Sequence, residues 1–152
     1  MLREQITTAM KDALRSKDER ALATTRLILA QMKALDIEAR AKGNSNGIDD
    51  PSIMALLQGM IKQRHESISL YEKGGREDLA TQEREEIDVI KRFLPEPMDD
   101  AAIQAAIDKA FSETGASSIK DMGKVMGVLK KAYVGQMDFA QVGALVKARL
   151  AG

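Results

Sequence analysis

Residues 117–138 read SSIKDMGKVMGVLKKAYVGQMD and combine a helical apolar pattern with glycines inside the same helix. Apolar side chains three and four residues apart line one face of a helix; here they are Ile119, Met122, Val125, Met126 and Leu129. Gly123 and Gly127 interrupt the pattern, and each costs the helix about 1 kcal/mol relative to alanine. Close packing of a neighbouring helix is the expected reason for them, and approach by the backbone of an outside partner is the alternative.

The same stretch carries signals for where helices begin and end. Ser118 followed by Asp121 resembles a capping box, in which an N-cap hydroxyl and an acidic side chain three residues later satisfy backbone N–H groups. Gly135 favours a left-handed stop, and Asp138 with Gln141 starts a further helix that continues to the end of the sequence. The pattern therefore predicts a helical hairpin.

This hairpin is basic, although the net charge of the whole chain is zero. Residues 118–152 contain six basic and two acidic side chains, a net charge of +4, whereas residues 95–117 contain one basic and five acidic side chains, a net charge of −4. Contact with a polyanion would therefore depend on a local patch. The basic side chains are Lys120, Lys124, Lys130, Lys131, Lys147 and Arg149.

Four more helices are predicted upstream of residue 95 and a fifth beyond it. The period of three and four gives helices at about 2–15, 18–42, 50–73 and 76–94, with Asp50 and Pro51 starting the third, and then a helix that ends before Gly115. The proline-rich segment LPEPM, residues 94–98, cannot continue a helix. Since no strand pattern occurs, we predict an all-α protein with an N-terminal antiparallel bundle, residues 1–94, and a three-helix C-terminal domain, residues 95–152.

Composition excludes several classes of function. The absence of cysteine excludes thiolate catalysis and cysteine-based metal sites, and the absence of tryptophan, with 3% aromatic residues overall, removes the stacking surfaces of single-strand binders. No run of 18 apolar residues occurs, so no membrane segment is predicted. The expected location is the cytoplasm.

No catalytic residue, metal or cofactor is predicted. His65 is the single histidine, and no nucleophile or orienting carboxylate stands at a spacing that would make it a general base. Carboxylates on the fourth helix could be metal ligands, but a solvated charged face predicts the same residues and is favoured; these are Glu83, Glu85, Glu86 and Asp88.

The run DMGKVMGVLKKAYVGQMD, residues 121–138, resembles the signature of the YqeY family. The likeness extends over nearly the whole chain, through Arg26, IKQRHESISLYEKGGREDLA at 61–80 and IDVIKRFLP at 87–95. That family is similar to the C-terminal tail of GatB, the transfer subunit of the tRNA-dependent glutamine amidotransferase, and the resemblance implies a GatB-tail-like C-terminal domain. It also implies the label of carbon–nitrogen ligase with glutamine as amido-N-donor, although amide transfer itself takes place in a different domain that this sequence does not contain.

The residues and the family resemblance lead to two candidate functions, and a third is considered as the alternative to both. The first is an accessory module that binds tRNA or a tRNA-aminoacylation or tRNA-amidation enzyme, with no DNA or membrane partner; its candidate residues are Lys120, Gly123, Lys124, Gly127, Lys130, Lys131 and Lys147. The second is a helical protein–protein adaptor, with partner-surface candidates Arg64, Arg76 and Arg84. The third is an enzyme that acts on glutamine, for which no site is predicted.

Overall fold

A computed structural model describes residues 1–151, and within that range the protein has seven α-helices and no β-strand. The predicted all-α class is confirmed. A short 3₁₀ turn, Ile119–Asp121, precedes the sixth helix. The helices are α1 (Leu2–Ser16), α2 (Glu19–Ala41), α3 (Asp50–Lys73), α4 (Glu77–Lys91), α5 (Asp100–Thr114), α6 (Met122–Ala132) and α7 (Phe139–Ala151).

The chain divides into two compact units, Met1–Leu94 and Pro95–Gly152. In the first unit α1 packs against α2, α3 packs against α4, and α2 also contacts α4. In the second unit α6 lies against both α5 and α7. Each unit therefore has a hydrophobic core of its own.

The core of the first unit consists of one aliphatic face from each helix. Burial of such a side chain contributes about 1.5–3 kcal/mol, which is the main stabilising term available to a chain this poor in aromatic residues. The largest cluster contains Leu2, Ile6, Ile28, Met32, Ile53, Leu57, Met60 and Ile90.

The core of the second unit includes three residues of the predicted α6 stripe, Val125, Met126 and Leu129, with Met122 packed against it. Ile119 was also expected in this stripe, but its side chain is 49% exposed. It lies in the 3₁₀ turn, where three residues per turn rotate it off the α-helical face. The cluster contains Ala106, Ile107, Ala110, Val125, Met126, Leu129, Met137, Val142 and Val146.

Aspartate carboxylates cap four helices of the described range, and the predicted cap of α7, Asp138, accepts a hydrogen bond from the Ala140 N–H at 3.0 Å. Asp18 accepts a hydrogen bond from the Ala21 N–H at 3.1 Å. The N-cap of α3 is Asp49, whose carboxylate accepts from the Ser52 N–H at 3.0 Å, so the prediction that Asp50 is the cap was wrong by one residue. Asp99 caps α5 in the same way.

A buried carboxylate on α2 joins the start of α1 to the loop after α2. Asp36 accepts two hydrogen bonds from the Arg3 guanidinium, at 2.6 and 2.9 Å, and a third from the Ile48 N–H at 2.9 Å. The hydrogen bond from Arg3 lowers the pKa of Asp36, and the bond from Ile48 acts in the same direction, while burial opposes them. Three segments distant in sequence therefore depend on one side chain.

Gly47 gives the loop the space to reach this carboxylate. Its φ is +80°, a conformation that side-chain-bearing residues rarely adopt. A Cβ atom at this position would also collide with the Asp36 carboxylate. Glycine at position 47 therefore serves the ion pair as well as the turn.

We predict that Asp36→Asn destabilises the first unit by about 2 kcal/mol at neutral pH, since it leaves Arg3 without its charged partner. The pKa of Asp36 is lower in the folded state than in the unfolded state. The ionised carboxylate therefore stabilises the fold above the unfolded pKa of about 3.9, and this stabilisation is lost as pH falls through the folded value. The difference between wild type and variant should therefore shrink below about pH 4.

The measurement is urea unfolding from about pH 2.5 to pH 7. A Tyr133→Phe background leaves Tyr71, in the first unit, as the one tyrosine reporter in a chain without tryptophan. Asp12→Asn is the control, because Asp12 forms an exposed pair with Arg15 at 3.6 Å and should change stability by less than about 0.5 kcal/mol. Equal effects of the two variants on stability at neutral pH would contradict the stabilising role of the Asp36–Arg3 ion pair.

Candidate nucleic-acid interface

The solvent-facing side of α6 carries lysines and glycines and no exposed large apolar side chain. Val125, Met126 and Leu129 point into the core, and residues on the opposite side of the helix are exposed. Gly127 and Lys131 lie on that outer side, four residues apart. We call this surface the α6 face and define it as Gly123, Lys124, Gly127 and Lys131, together with exposed Lys120 of the preceding 3₁₀ turn.

The glycines of the α6 face contact no neighbouring helix. A Cβ atom placed at Gly123 or at Gly127 would meet no described atom within 4 Å, beyond the helix's own backbone. The expected packing reason for these glycines was therefore wrong. Each still costs about 1 kcal/mol of helix stability, and no contact in residues 1–151 offsets it.

The lysines of this region are exposed and lack intramolecular salt bridges. Lys120, Lys124, Lys130, Lys131 and Lys147 form no ion pair with any residue that the structure describes. Lys130 lies at the edge of the α6 face, and Lys147 belongs to α7. Their ammonium groups are therefore free to contact an anionic ligand.

Arg149 differs from the lysines around it. Its guanidinium pairs with Asp108 and lies 4.5 Å from the centre of the Phe111 ring. Both contacts join α7 to α5, so Arg149 stabilises the unit.

The entry to α6 is fixed by Asp121. Its carboxylate accepts hydrogen bonds from the backbone N–H groups of Ser117 at 3.0 Å and Ser118 at 3.2 Å. These bonds lower the pKa of Asp121, with a smaller contribution from the charge of Lys124. The predicted capping box is present at the start of the 3₁₀ turn that precedes α6.

The three arginines proposed as a partner surface already have partners inside the first unit. Arg64 is buried, with 8% exposure, and donates to Glu86 at 3.1 Å. Arg76 is exposed and pairs with Asp78 at 3.0 Å, and Arg84 pairs with Glu77 and Glu72. Arg64 therefore lies outside any exposed surface, and the other two form exposed ion pairs within the first unit.

Three carboxylates of α4, Glu83, Glu85 and Glu86, belong to one ion-pair network with Arg20 and Arg64. Glu86 bridges Arg64 and Arg20, and Glu85 accepts from Arg20 at 3.1 Å. Burial, with the neighbouring Glu86 carboxylate, raises the pKa of Glu83. Within residues 1–151 no three potential ligands are grouped so that they could hold a metal ion. This network was missed by sequence reasoning, although Arg64 falls four residues after Met60 and four before Ile68 on the buried stripe of α3.

His65 lies on the exposed side of α3 and makes no hydrogen bond or ion pair within residues 1–151. In the same range, no helix is both long enough and apolar enough to cross a bilayer.

A family model described as Yqey-like protein matches residues 3–150 of the chain. Similar curated proteins carry the name "Altered inheritance of mitochondria protein 41, mitochondrial". The one from Eremothecium gossypii is 31% identical over 133 residues, which cover 88% of this chain and 65% of that protein. The one from Lachancea thermotolerans is 31% identical over 111 residues, covering 72% of this chain and 57% of the relative.

A third relative, from Vanderwaltozyma polyspora, is 33% identical over 85 residues, which cover 56% of this chain and 44% of that protein. The chain thus spans about half the length of the curated relatives that it matches. The similarity to the E. gossypii protein extends over most of this chain, so it includes more than the C-terminal hairpin.

We predict that Gly123→Ala and Gly127→Ala each stabilise the second unit by about 1 kcal/mol, because the new methyl groups enter open space and improve helix propensity. The measurement is urea unfolding in a Tyr71→Phe background, where Tyr133 reports on the second unit. Gly59→Ala is the control: this glycine is also exposed within a helix with no atom near its Cβ position, but it lies in α3 of the first unit. Destabilisation by either α6 substitution would show that a hidden contact requires the glycine.

Proposed function

The chain belongs to the Yqey-like protein family, and from this premise we propose that it is an accessory module of tRNA amidation whose C-terminal unit binds the phosphate backbone of tRNA. The observation that carries the proposal is the α6 face, where unpaired lysines surround two glycines that have no role in packing. A phosphate backbone uses both features, since it needs cations and close approach.

The glycines favour a close ligand over a distant one. Without a Cβ at positions 123 and 127, the α6 backbone forms a shallow strip between Lys120, Lys124 and Lys131. A sugar–phosphate chain could lie in this strip, with the three ammonium groups contacting successive phosphates. Recognition of this kind reads the shape and charge of RNA and needs no aromatic stacking, in keeping with the 3% aromatic content.

The arrangement of the helices within each unit is also part of the proposal. We infer an antiparallel bundle for the first unit and a GatB-tail-like arrangement for the second. The order of the last three helices after Pro95 and the packing of α6 between α5 and α7 support it. In this reading the second unit presents RNA to an amidating enzyme that acts elsewhere.

We assign the chain no catalytic site of its own, even though the family tie is to carbon–nitrogen ligases with glutamine as amido-N-donor. Support comes from His65, which is exposed and makes no hydrogen bond or ion pair within residues 1–151. The adaptor alternative built on Arg64, Arg76 and Arg84 has less support, because Arg64 is buried and all three form ion pairs with carboxylates of the same unit. The cytoplasmic location stays a prediction, since the relatives are named as mitochondrial proteins.

We predict that labelled total tRNA binds the full chain with a logarithm of affinity that falls linearly with the logarithm of salt concentration. Three to five phosphate contacts correspond to a slope of about −3. Lys124→Glu combined with Lys131→Glu should lower affinity about tenfold or more at low salt and reduce the slope by about 1.5 to 2. Fluorescence anisotropy measures both quantities.

The matched control is Lys11→Glu combined with Lys62→Glu, which changes the net charge equally but alters exposed lysines of the first unit. Its affinity should stay within about a factor of two of wild type. A second readout is Gly123→Ala combined with Gly127→Ala, which should weaken binding while raising stability. Unchanged binding by a folded lysine variant of α6 would remove the α6 face from the proposal.

We further predict that the purified chain alone does not release ammonia from glutamine. A coupled glutamate dehydrogenase assay measures this, with wild type and His65→Ala compared at equal concentration. Turnover that is lost in His65→Ala would overturn the assignment of an accessory role and place a catalytic group on α3.

A further inference from the structure

The outer side of α2 carries a row of exposed apolar residues. The buried side of this helix uses Ile28 and Met32, with 0% and 1% exposure. On the opposite side, Leu27 is 41% exposed and Ile37 is 58% exposed. They belong to a row of exposed residues, which we call the α2 row: Ala23, Leu27, Ala30, Ala34, Ile37 and Ala41.

The spacing of the α2 row is that of a coiled-coil seam. Its members alternate between steps of four and three residues, so the row repeats every seven residues and stays on one side of the helix. From Ala23 to Ala41 it extends about 27 Å at 1.5 Å per residue. This length matches a partner helix of about five turns. Apolar residues on both sides of α2 are unusual for a helix with one solvated face.

Basic side chains follow one edge of the α2 row with the same repeat of seven. Arg26, Lys33 and Arg40 are all exposed, and none forms an ion pair within residues 1–151. Asp36, the nearest carboxylate on the inner side, is occupied by Arg3. In a helical pair, residues that flank the seam meet the flanking residues of the partner and select it by charge.

We propose that the α2 row docks an amphipathic helix of a partner protein whose flanking positions carry glutamate or aspartate opposite Arg26, Lys33 and Arg40. The small alanines allow the two helices to approach closely, and Leu27 and Ile37 supply apolar anchors at either end. This surface lies in the first unit, so it is independent of the RNA proposal for the α6 face.

Charge argues against an antiparallel pair of α2 helices and against RNA. In an antiparallel pair with a second copy of α2, the basic edge would face the same basic edge, which repels. RNA would satisfy the three cations but would leave Leu27 and Ile37 beside a polyanion without apolar contact. An acidic amphipathic helix satisfies both the apolar row and its basic edge.

The test uses two labelled synthetic helices of about 21 residues, three heptads long, with leucine at the seam. One carries glutamate at the flanking positions and the other carries lysine. We expect the full chain to bind the glutamate peptide about tenfold more tightly or better. Leu27→Glu combined with Ile37→Glu should abolish binding of the glutamate peptide, since it places charge in the seam.

The sharpest variant reverses the basic edge through Arg26→Glu, Lys33→Glu and Arg40→Glu, and it should invert the preference between the two peptides. The matched control, Lys11→Glu, Lys62→Glu and Lys91→Glu, changes net charge equally at exposed positions off the row and should keep the wild-type order. Circular dichroism establishes that each variant is folded.

Equal affinities for the two peptides, or no binding of either, overturn the proposal. Sedimentation analysis of the wild type tests whether the α2 row pairs with a second copy of the chain. If the wild type is a dimer and the double variant Leu27→Glu, Ile37→Glu is a monomer, the row is assigned to self-association. Loss of tRNA binding in the reversed-edge variant, with no peptide binding by wild type, would assign the basic edge to RNA.

Discussion

The burial of one aliphatic face per helix is the interaction on which both units depend. The chain contains no cysteine for disulfides, no tryptophan and 3% aromatic residues, so its cores consist of isoleucine, leucine, valine, methionine and alanine. Each such side chain contributes a modest free energy, and the sum requires that every helix present a continuous face. A polar group that falls in such a face must therefore find a partner, because burying it unpaired would cost as much as a core side chain contributes.

This constraint explains both what sequence patterns predict and what they miss. The spacing of apolar residues, with aspartate caps such as Asp18 and the prolines after Leu94, suffices to predict seven helices, because these signals are local. Asp36 and Arg64 also fall on the apolar period, which indicates burial. Their partners Arg3 and Glu86 lie 33 and 22 residues away, however, and no local pattern identifies them.

The glycines of α6 show the same division between local and distant information. Their cost to the helix can be predicted from sequence, but whether a neighbour offsets it depends on how α5 and α7 surround α6. The structure places Val125 and Leu129 in the core and leaves Gly123 and Gly127 in open space. No contact within residues 1–151 offsets this cost, and the open backbone beside exposed lysines is the basis for the anionic ligand that we propose.

The α6 face and the α2 row differ in the chemical groups that an anionic partner would need in order to bind them. On α6 the cations surround bare backbone, so a ligand without apolar groups can make every contact that the face offers. On α2 the cations border Leu27 and Ile37, and only a ligand with both carboxylates and apolar side chains releases water from that row. Because the net charge of the chain is zero, long-range attraction toward either ligand is weak. Short-range complementarity therefore decides selection at each face, and we propose a polyanion for the α6 face and an acidic helix for the α2 row.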